Sequence, residues 1–249
     1  MLPYKVLTAG DTALVIEFGE GADRKLSSWV LALAGRLNEA SIGGVVETVP
    51  TFRSLMIYYD PVVLPAESLV TQIERLMAGV EAAEQAGRLW NLPVCYEGEH
   101  APDLDEVAAR TGLTRADVIA RHAAVTYHVY MLGFLPGLAY LGDVAPELVL
   151  PRRDVPRIRI PAGSVGIGMS MTCIFPRETP CGLHIIGHSP VPLWRQQQEG
   201  GAAFGALLSP GDQVMFAPVS GLEHDEMLAA AAAGTLNVRP VDATQGAAA

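Results

Sequence analysis

The chain has 249 residues, half of them hydrophobic, and a formal net charge of −10. It can therefore bury a sizeable core, and it lacks the basic face that nucleic acid demands. Lys5 and Lys25 are its only lysines, which leaves cation chemistry to arginine, the better bidentate partner of carboxylate and phosphate.

The early chain alternates short strands and helices. Residues 4–8 and 12–18 read as strands around the turn Ala9-Gly10-Asp11. Residues 22–39 read as a helix, because Leu26, Trp29, Val30, Leu33 and Leu37 fall on one face, with Ile42-Gly43-Gly44 as its breaker. Residues 45–49 and 53–59 form a second strand pair, and a helix over 66–80 turns Leu69, Ile73, Leu76, Met77 and Val80 inward. The order β-β-α-β-β-α predicts a small α+β domain, helices on one face of a mainly antiparallel sheet. Glu81–Arg88 is polar and alanine-rich, and fourteen of the 18 prolines lie beyond it. That shift places a domain boundary near residue 87.

Beyond the boundary, residues 89–96 read as a strand and 103–111 and 115–122 as helices, the second opened by a Thr114/Asp117 capping box. Val125–Leu132 alternates like a strand, with Val125, Tyr127, Val129 and Met131 on one side. From Gly133 to Pro190 glycine and proline recur every few residues between short apolar runs, the pattern of short strands and tight turns. Ser209-Pro-Gly-Asp212 is a turn, Gln213–Pro218 a last strand, and 222–233 an alanine-rich helix. The partition is 1–87, 88–225, and a helix and tail over 226–249. No run of about 18 apolar residues occurs, no leader is read at the start, and Cys95, Cys173 and Cys181 lack metal spacing. A cytoplasmic protein without a membrane segment is the expectation.

The punctuated stretch carries most of the candidate chemistry. In Pro151–Pro161, an extended backbone would put Arg153, Arg157 and Arg159 on one face and Arg152 on the other. Two readings stay open, an anion clamp or a charged edge strand that blocks aggregation. Pro161–Gly168 could cradle an anion with the amides of Gly163, Ser164, Val165 and Gly166 and the Ser164 hydroxyl, or be a hairpin that needs glycine for positive φ. The hairpin is the better reading. His184 and His188 would share a face of a strand, and with no third ligand evident no metal is expected. Cys173 and Cys181 read as buried small hydrophobes. Asp103, Asp105 and Glu106 read as structural, at a helix start.

Gly133-Phe-Leu-Pro-Gly-Leu-Ala-Tyr-Leu141, Pro151-Arg-Arg-x-x-Pro-Arg157, Pro161-Ala-Gly-Ser-Val-Gly-Ile167, Thr179-Pro-x-Gly182 and Ile186-Gly-x-x-Pro190 together resemble the bacterial 5-oxoprolinase B-subunit family. That family includes the Kip inhibitor of a sporulation kinase and allophanate hydrolase subunit 1. The resemblance implies an N-terminal α+β domain followed by a cyclophilin-like β-barrel. It implies a C-type partner (allophanate hydrolase subunit 2-like), joined by an A-type subunit in an ATP-using complex that opens 5-oxoproline to glutamate. Under that reading this chain binds no cofactor by itself. Arg153, Arg157, Gly163–Gly166 and His188 would bind a small anionic or amide substrate, and His122, Tyr140 or His184 would handle protons. The alternatives are a Kip-like kinase inhibitor, or one half of a urea-carboxylase-type carboxyltransferase. Where members usually read Gly-Gly-Gln-Thr-Gly, Gly-Gly-Trp and Gly-Arg-Thr-Pro, this chain has Met169-Ser-Met-Thr-Cys173, Cys181-Gly-Leu183 and Gly187-His-Ser-Pro190.

Overall fold

The computed structural model describes residues 2–78, 80, 87–195 and 205–241. The chain divides into two compact units, Met1–Gln85 and Ala86–Ala249. The boundary expected within 81–88 falls mostly outside the described residues.

The first unit contains β1 (Lys5–Thr8), β2 (Ala13–Glu17), α1 (Arg24–Ala40), β3 (Val45–Pro50), β4 (Ser54–Tyr59) and α2 (Ala66–Met77). Its strands form an antiparallel sheet in the order β1-β2-β4-β3. Asp23 starts α1 by accepting the Lys25 and Leu26 amides at 2.7 and 3.2 Å, which satisfies two orphan donors of the first turn. Ser41, left-handed at φ 46°, ends the helix, two residues ahead of the glycine pair expected to break it. Gly44 instead makes the turn into β3. Its φ is +97°, and a Cβ there would lie 2.6 Å from the Cβ of Leu64, so only glycine fits. Val30, Leu33 and Leu37 of α1 and Leu69, Ile73 and Met77 of α2 pack on Leu14, Ile16, Leu55 and Ile57 of the sheet. Each such side chain contributes about 1.5–3 kcal/mol by leaving water.

The second unit contains β5 (Leu89–Cys95), α3 (Leu104–Thr111), α4 (Arg115–Ala123), β6 (Tyr127–Leu132), β7 (Ala139–Gly142), β8 (Arg157–Ile160), β9 (Ser164–Gly168) and β10 (Met171–Ile174). It continues with β11 (Thr179–Cys181), β12 (His184–His188), β13 (Trp194–Arg195), β14 (Gly205–Ala206), β15 (Gln213–Val219) and α5 (Gly221–Ala232). Seven strands close a barrel in the order β10-β7-β6-β15-β5-β12-β9, and the pairs β8–β11 and β13–β14 lie apart from it. β15 runs parallel to β5, so the first and last barrel strands lie side by side. Buried Asp212 secures that seam. It accepts the Trp90 indole N–H at 3.0 Å, the Ser209 amide at 2.9 Å and the Arg88 guanidinium at 2.7 Å.

Two expectations change here. A bulge between Val129 and Met131 shifts the register of β6 on β7, so Tyr130 is buried and Met131 is only half-buried. An added residue breaks the period of two. The last helix, Gly221–Ala232, matches the span 222–233 read from the sequence, and so begins before the residue 226 at which the partition started its C-terminal segment. Inward residues such as Leu92, Val129, Leu141, Val165, Ile174, Ile186 and Phe216 fill the barrel. Their neighbours Cys173 and Ile185 point the other way and join Leu138, Ile160, Phe175, Cys181 and Leu183 in a second apolar cluster. No helix among the described residues is long and apolar enough to cross a membrane.

Candidate functional site

The barrel absorbs several of the residues singled out in the sequence. His122 is fully buried and stacks on Phe216 with ring centroids 4.7 Å apart. The Thr172 hydroxyl donates to Gly166 O at 3.1 Å, so it must accept from His122 Nε2–H at 3.0 Å. His122 Nδ1 then accepts from the Tyr96 hydroxyl at 2.8 Å. Both ring nitrogens are satisfied, and burial pushes the imidazole pKa down to about 3. His122 is a neutral core residue, out of reach of any substrate, and not a proton carrier.

The amides of Gly163–Gly166 are also spent. Gly163 N–H donates to Phe175 O at 2.7 Å and Ser164 N–H to Pro161 O at 3.3 Å. Val165 and Gly166 sit in β9 between β10 and β12, and the Ser164 hydroxyl donates to Pro161 O at 2.8 Å. Gly163 does take a positive φ of +85°, but its turn joins β8 to β9, which lie in different sheets, so neither the hairpin nor the open anion cradle expected here is formed.

Arg153 and Arg157 do bind a carboxylate, and it is the chain's own. Asp103, buried at the start of α3, accepts from Arg153 at 2.8 Å and also from Arg157. Its other oxygen accepts the Ile185 amide at 2.7 Å. Arg153 reaches Glu106 at 2.7 Å as well. Two guanidiniums face two carboxylates, so little surplus charge remains for a ligand. Arg159 leaves the group and pairs with exposed Glu178 at 2.6 Å, because the β8–β11 pairing contains an irregularity between Arg157 and Ile160 that breaks the alternation. His184 is buried beside this cluster, with Nε2–H donating to Pro151 O at 3.1 Å and Nδ1 3.7 Å from Glu106.

The same anchoring aims Arg152 elsewhere. The Arg153 amide donates to Gly182 O at 2.9 Å, which together with His184 pins residues 151–153 beside β11 and β12. Arg152 then extends over Gly168 and Gly182, where missing side chains leave it room: ideal Cβ atoms at those glycines would be 3.9 Å from its stem. It has no ion pair among the described residues, and its charge acts to lower the pKa values of Tyr140, Cys173 and Cys181. Burial outweighs it at all three, raising Tyr140 and Cys181 and pushing the Cys173 thiol up to about 12. The result is a cation and a half-buried phenol over an apolar floor of Cys173, Cys181 and Leu183. Of the residues expected to act, Tyr140 lies here. Strict alternation turns Arg152 away from the other arginines, as the sequence predicts.

Residues 4–204 match the family described as the carboxyltransferase domain, subdomains C and D. The chain is 37% identical over 228 residues to the 5-oxoprolinase B subunit of Bacillus subtilis, an overlap of 87% of this chain and 93% of that one. The chain belongs to this carboxyltransferase-domain family, with the 5-oxoprolinase B subunits. The B subunit of Escherichia coli O157:H7 is likewise 37% identical, over 84% of this chain and 93% of that one. Among solved structures, TTHA0988 superposes with a TM-score of 0.73 at 37% identity, over 84% of this chain but only 40% of that longer one. The urea amidolyase of K. lactis shares the fold, with a TM-score of 0.78 over 95% of this chain and 16% of that one, at 20% identity.

Within this family frame the departures noted in the sequence fall in different places. Leu183, where an indole is usual, forms part of the apolar floor, and Met171, where an amide is usual, is half-buried at the start of β10. His188, where a guanidinium is usual, lies elsewhere. Its pairing with β9 contains a bulge between Ile185 and Gly187. Positions 184 and 188 thus oppose Ile167 and Ser164, three residues apart, and His184 and His188 end on different sides of the sheet. The shared face expected from their spacing is lost. His188 meets His224 at 2.8 Å and donates from Nε2 to Ala162 O at 2.7 Å.

Proposed function

We propose that this chain is the B-type subunit of an ATP-dependent 5-oxoprolinase, acting with A-type and C-type subunits to open 5-oxoproline to glutamate. The observation that carries this reading is the 37% identity across 93% of the Bacillus subtilis B subunit. The placement of Arg152 and Tyr140 beside Cys173, Cys181 and Leu183 supports this reading. Arg152 holds the carboxylate of the lactam in a charge-assisted pair, the ring rests on Cys173, Cys181 and Leu183, and the Tyr140 hydroxyl faces the amide. Arg153, Arg157 and Asp103 act through position, locking α3 to β12 and presenting Arg152. A lactam amide is unreactive without activation, so ATP is consumed by the complex, and this chain by itself is silent. Val155 and Ile158 are 76% and 90% exposed and Phe134 is 71% exposed, apolar surface that a partner protein would cover.

The test is glutamate release from 5-oxoproline and ATP by the chain co-purified with A-type and C-type subunits. Arg152→Ala is expected to weaken substrate binding by about 10–150-fold, the roughly 1.5–3 kcal/mol of a hydrogen bond to a charged group. Arg152→Lys recovers only part of that. An assembled complex that releases no glutamate would overturn the activity. Activity that ignores Arg152→Ala would move the site elsewhere.

A further inference from the structure

Three histidines from distant parts of the second unit meet at one point. His100 ends a short 3-10 turn (Gly98–His100), His188 ends β12, and His224 lies in the first turn of α5. One ring nitrogen from each lies within 4.8 Å of the other two. The spacing of His184 and His188 offered no third ligand, because His100 and His224 are far away in the sequence and reach His188 only in the folded barrel.

The surroundings are organised as a ligand set. His188 Nε2–H is held by Ala162 O at 2.7 Å, which leaves Nδ1 as a lone pair aimed at His224 Nε2, 2.8 Å away. On its far side, His224 Nδ1 faces Asp225 at 3.4 Å. A carbonyl behind one imidazole and a carboxylate behind the next is the outer shell that fixes tautomers in metal sites. Two arrangements satisfy these contacts: a proton on His224 Nε2 shared with His188, or a cation between them with the His224 proton turned to Asp225. Gly163 lets the carbonyl turn approach, since a Cβ there would sit 2.5 Å from the His188 ring.

The helix supplies a second, independent observation. α5 buries only His224, while its Leu222 and Leu228 are 72% and 45% exposed. A helix with no buried apolar anchor gains little from burial, yet this one is held in place. Glu97, beside the turn that carries His100, accepts the Gly221 amide at the helix start at 3.1 Å. Both of these attachments lead back to the histidine cluster, beside the packing of α5 along β5.

We propose that His100, His188 and His224 bind a divalent first-row transition-metal ion, zinc foremost, which staples α5 to the barrel. Imidazole nitrogens select such ions over magnesium or calcium. Three protein nitrogens leave a fourth position open to water or a ligand. Tetrahedral zinc with nitrogen ligands at about 2.0–2.1 Å sets those nitrogens roughly 3.3 Å apart, so His188 and His224 part slightly and His100 swings in.

The experiment uses the untagged chain, stripped with chelator and titrated with Zn²⁺ by calorimetry and with Co²⁺ by visible absorption. The expected result is one ion per chain and a tetrahedral Co²⁺ spectrum without a thiolate charge-transfer band. His100→Gln and His224→Gln, checked by circular dichroism, are expected to abolish that binding, and Asp225→Asn to weaken it about tenfold. Should the histidine variants fail to fold, hydrogen exchange of wild-type chain reads the same point: Zn²⁺ must slow exchange across Gly221–Ala232. Absence of stoichiometric binding, equal binding by folded variants, a thiolate band, or unchanged exchange in α5 would each overturn the site.

Discussion

Replacing Asp103 with asparagine separates a scaffold role for Arg153 and Arg157 from direct ligand binding. The wild-type carboxylate is 3% exposed, whereas the Arg153 and Arg157 side chains are 20% and 32% exposed. Asparagine retains one oxygen, enough for either the Ile185 amide or an arginine, and removes the charge. Breaking a buried ion pair on one side costs about 3–5 kcal/mol. Water reaching the half-exposed guanidiniums and the remaining Glu106 carboxylate reduce this to about 2–4 kcal/mol. For a chain of this size that is roughly 5–15 °C in melting temperature. Thermal unfolding followed by circular dichroism measures it, with 5-oxoproline affinity measured in the assembled complex below the transition. A scaffold role for the two arginines requires a large loss of stability and a modest loss of affinity. A variant that melts with wild type while losing the ligand would refute it and return both arginines to the binding site.

Three further outcomes are expected. His122 is pushed down to about 3 by burial from an ordinary 6.5, so between those values the unfolded chain binds a proton that the folded chain does not. Its contribution is fully present above pH 6.5 and is lost as pH falls, by at most about 1.4 kcal/mol per pH unit; urea titrations at pH 7 and 5 should show that slope reduced in His122→Gln. Gly163→Ala forces a side chain into φ +85° and against His188, and should cost about 1–3 kcal/mol of stability, read from the urea midpoint. Residues 1–85 expressed alone should unfold cooperatively, since their apolar cluster is complete within that unit; a fragment with no thermal transition would show that the first unit depends on the rest of the chain.

Periodicity and turn signals located both helices and all four strands of the first unit, because α1, α2, β2 and β4 each present an apolar stripe to one core, although β1 is exposed throughout. The resemblance carried by residues 133–190 anticipated the barrel, since closely spaced glycines and prolines mark turns that the closed sheet needs. Side-chain direction is less legible. Single-residue bulges in β6 and β12 are silent in the sequence, yet each reverses the face of the residues beyond it, and so His184 and His188 part. Strict alternation grouped Arg153 with Arg157 and Arg159 as a clamp. The fold gave the first two an internal carboxylate, contributed by a helix start fifty residues earlier, and left Arg152 over the apolar floor. His122 looked like chemistry and became core, because the barrel closed around both of its nitrogens. His100 and His224 drew no notice, since only the closure of β12 beside β5, with α5 following the last strand, brings them to His188. Local pattern determines which segments are strand, helix or turn. Which polar groups meet is decided by the registers of a closed sheet, and those are properties of the whole barrel.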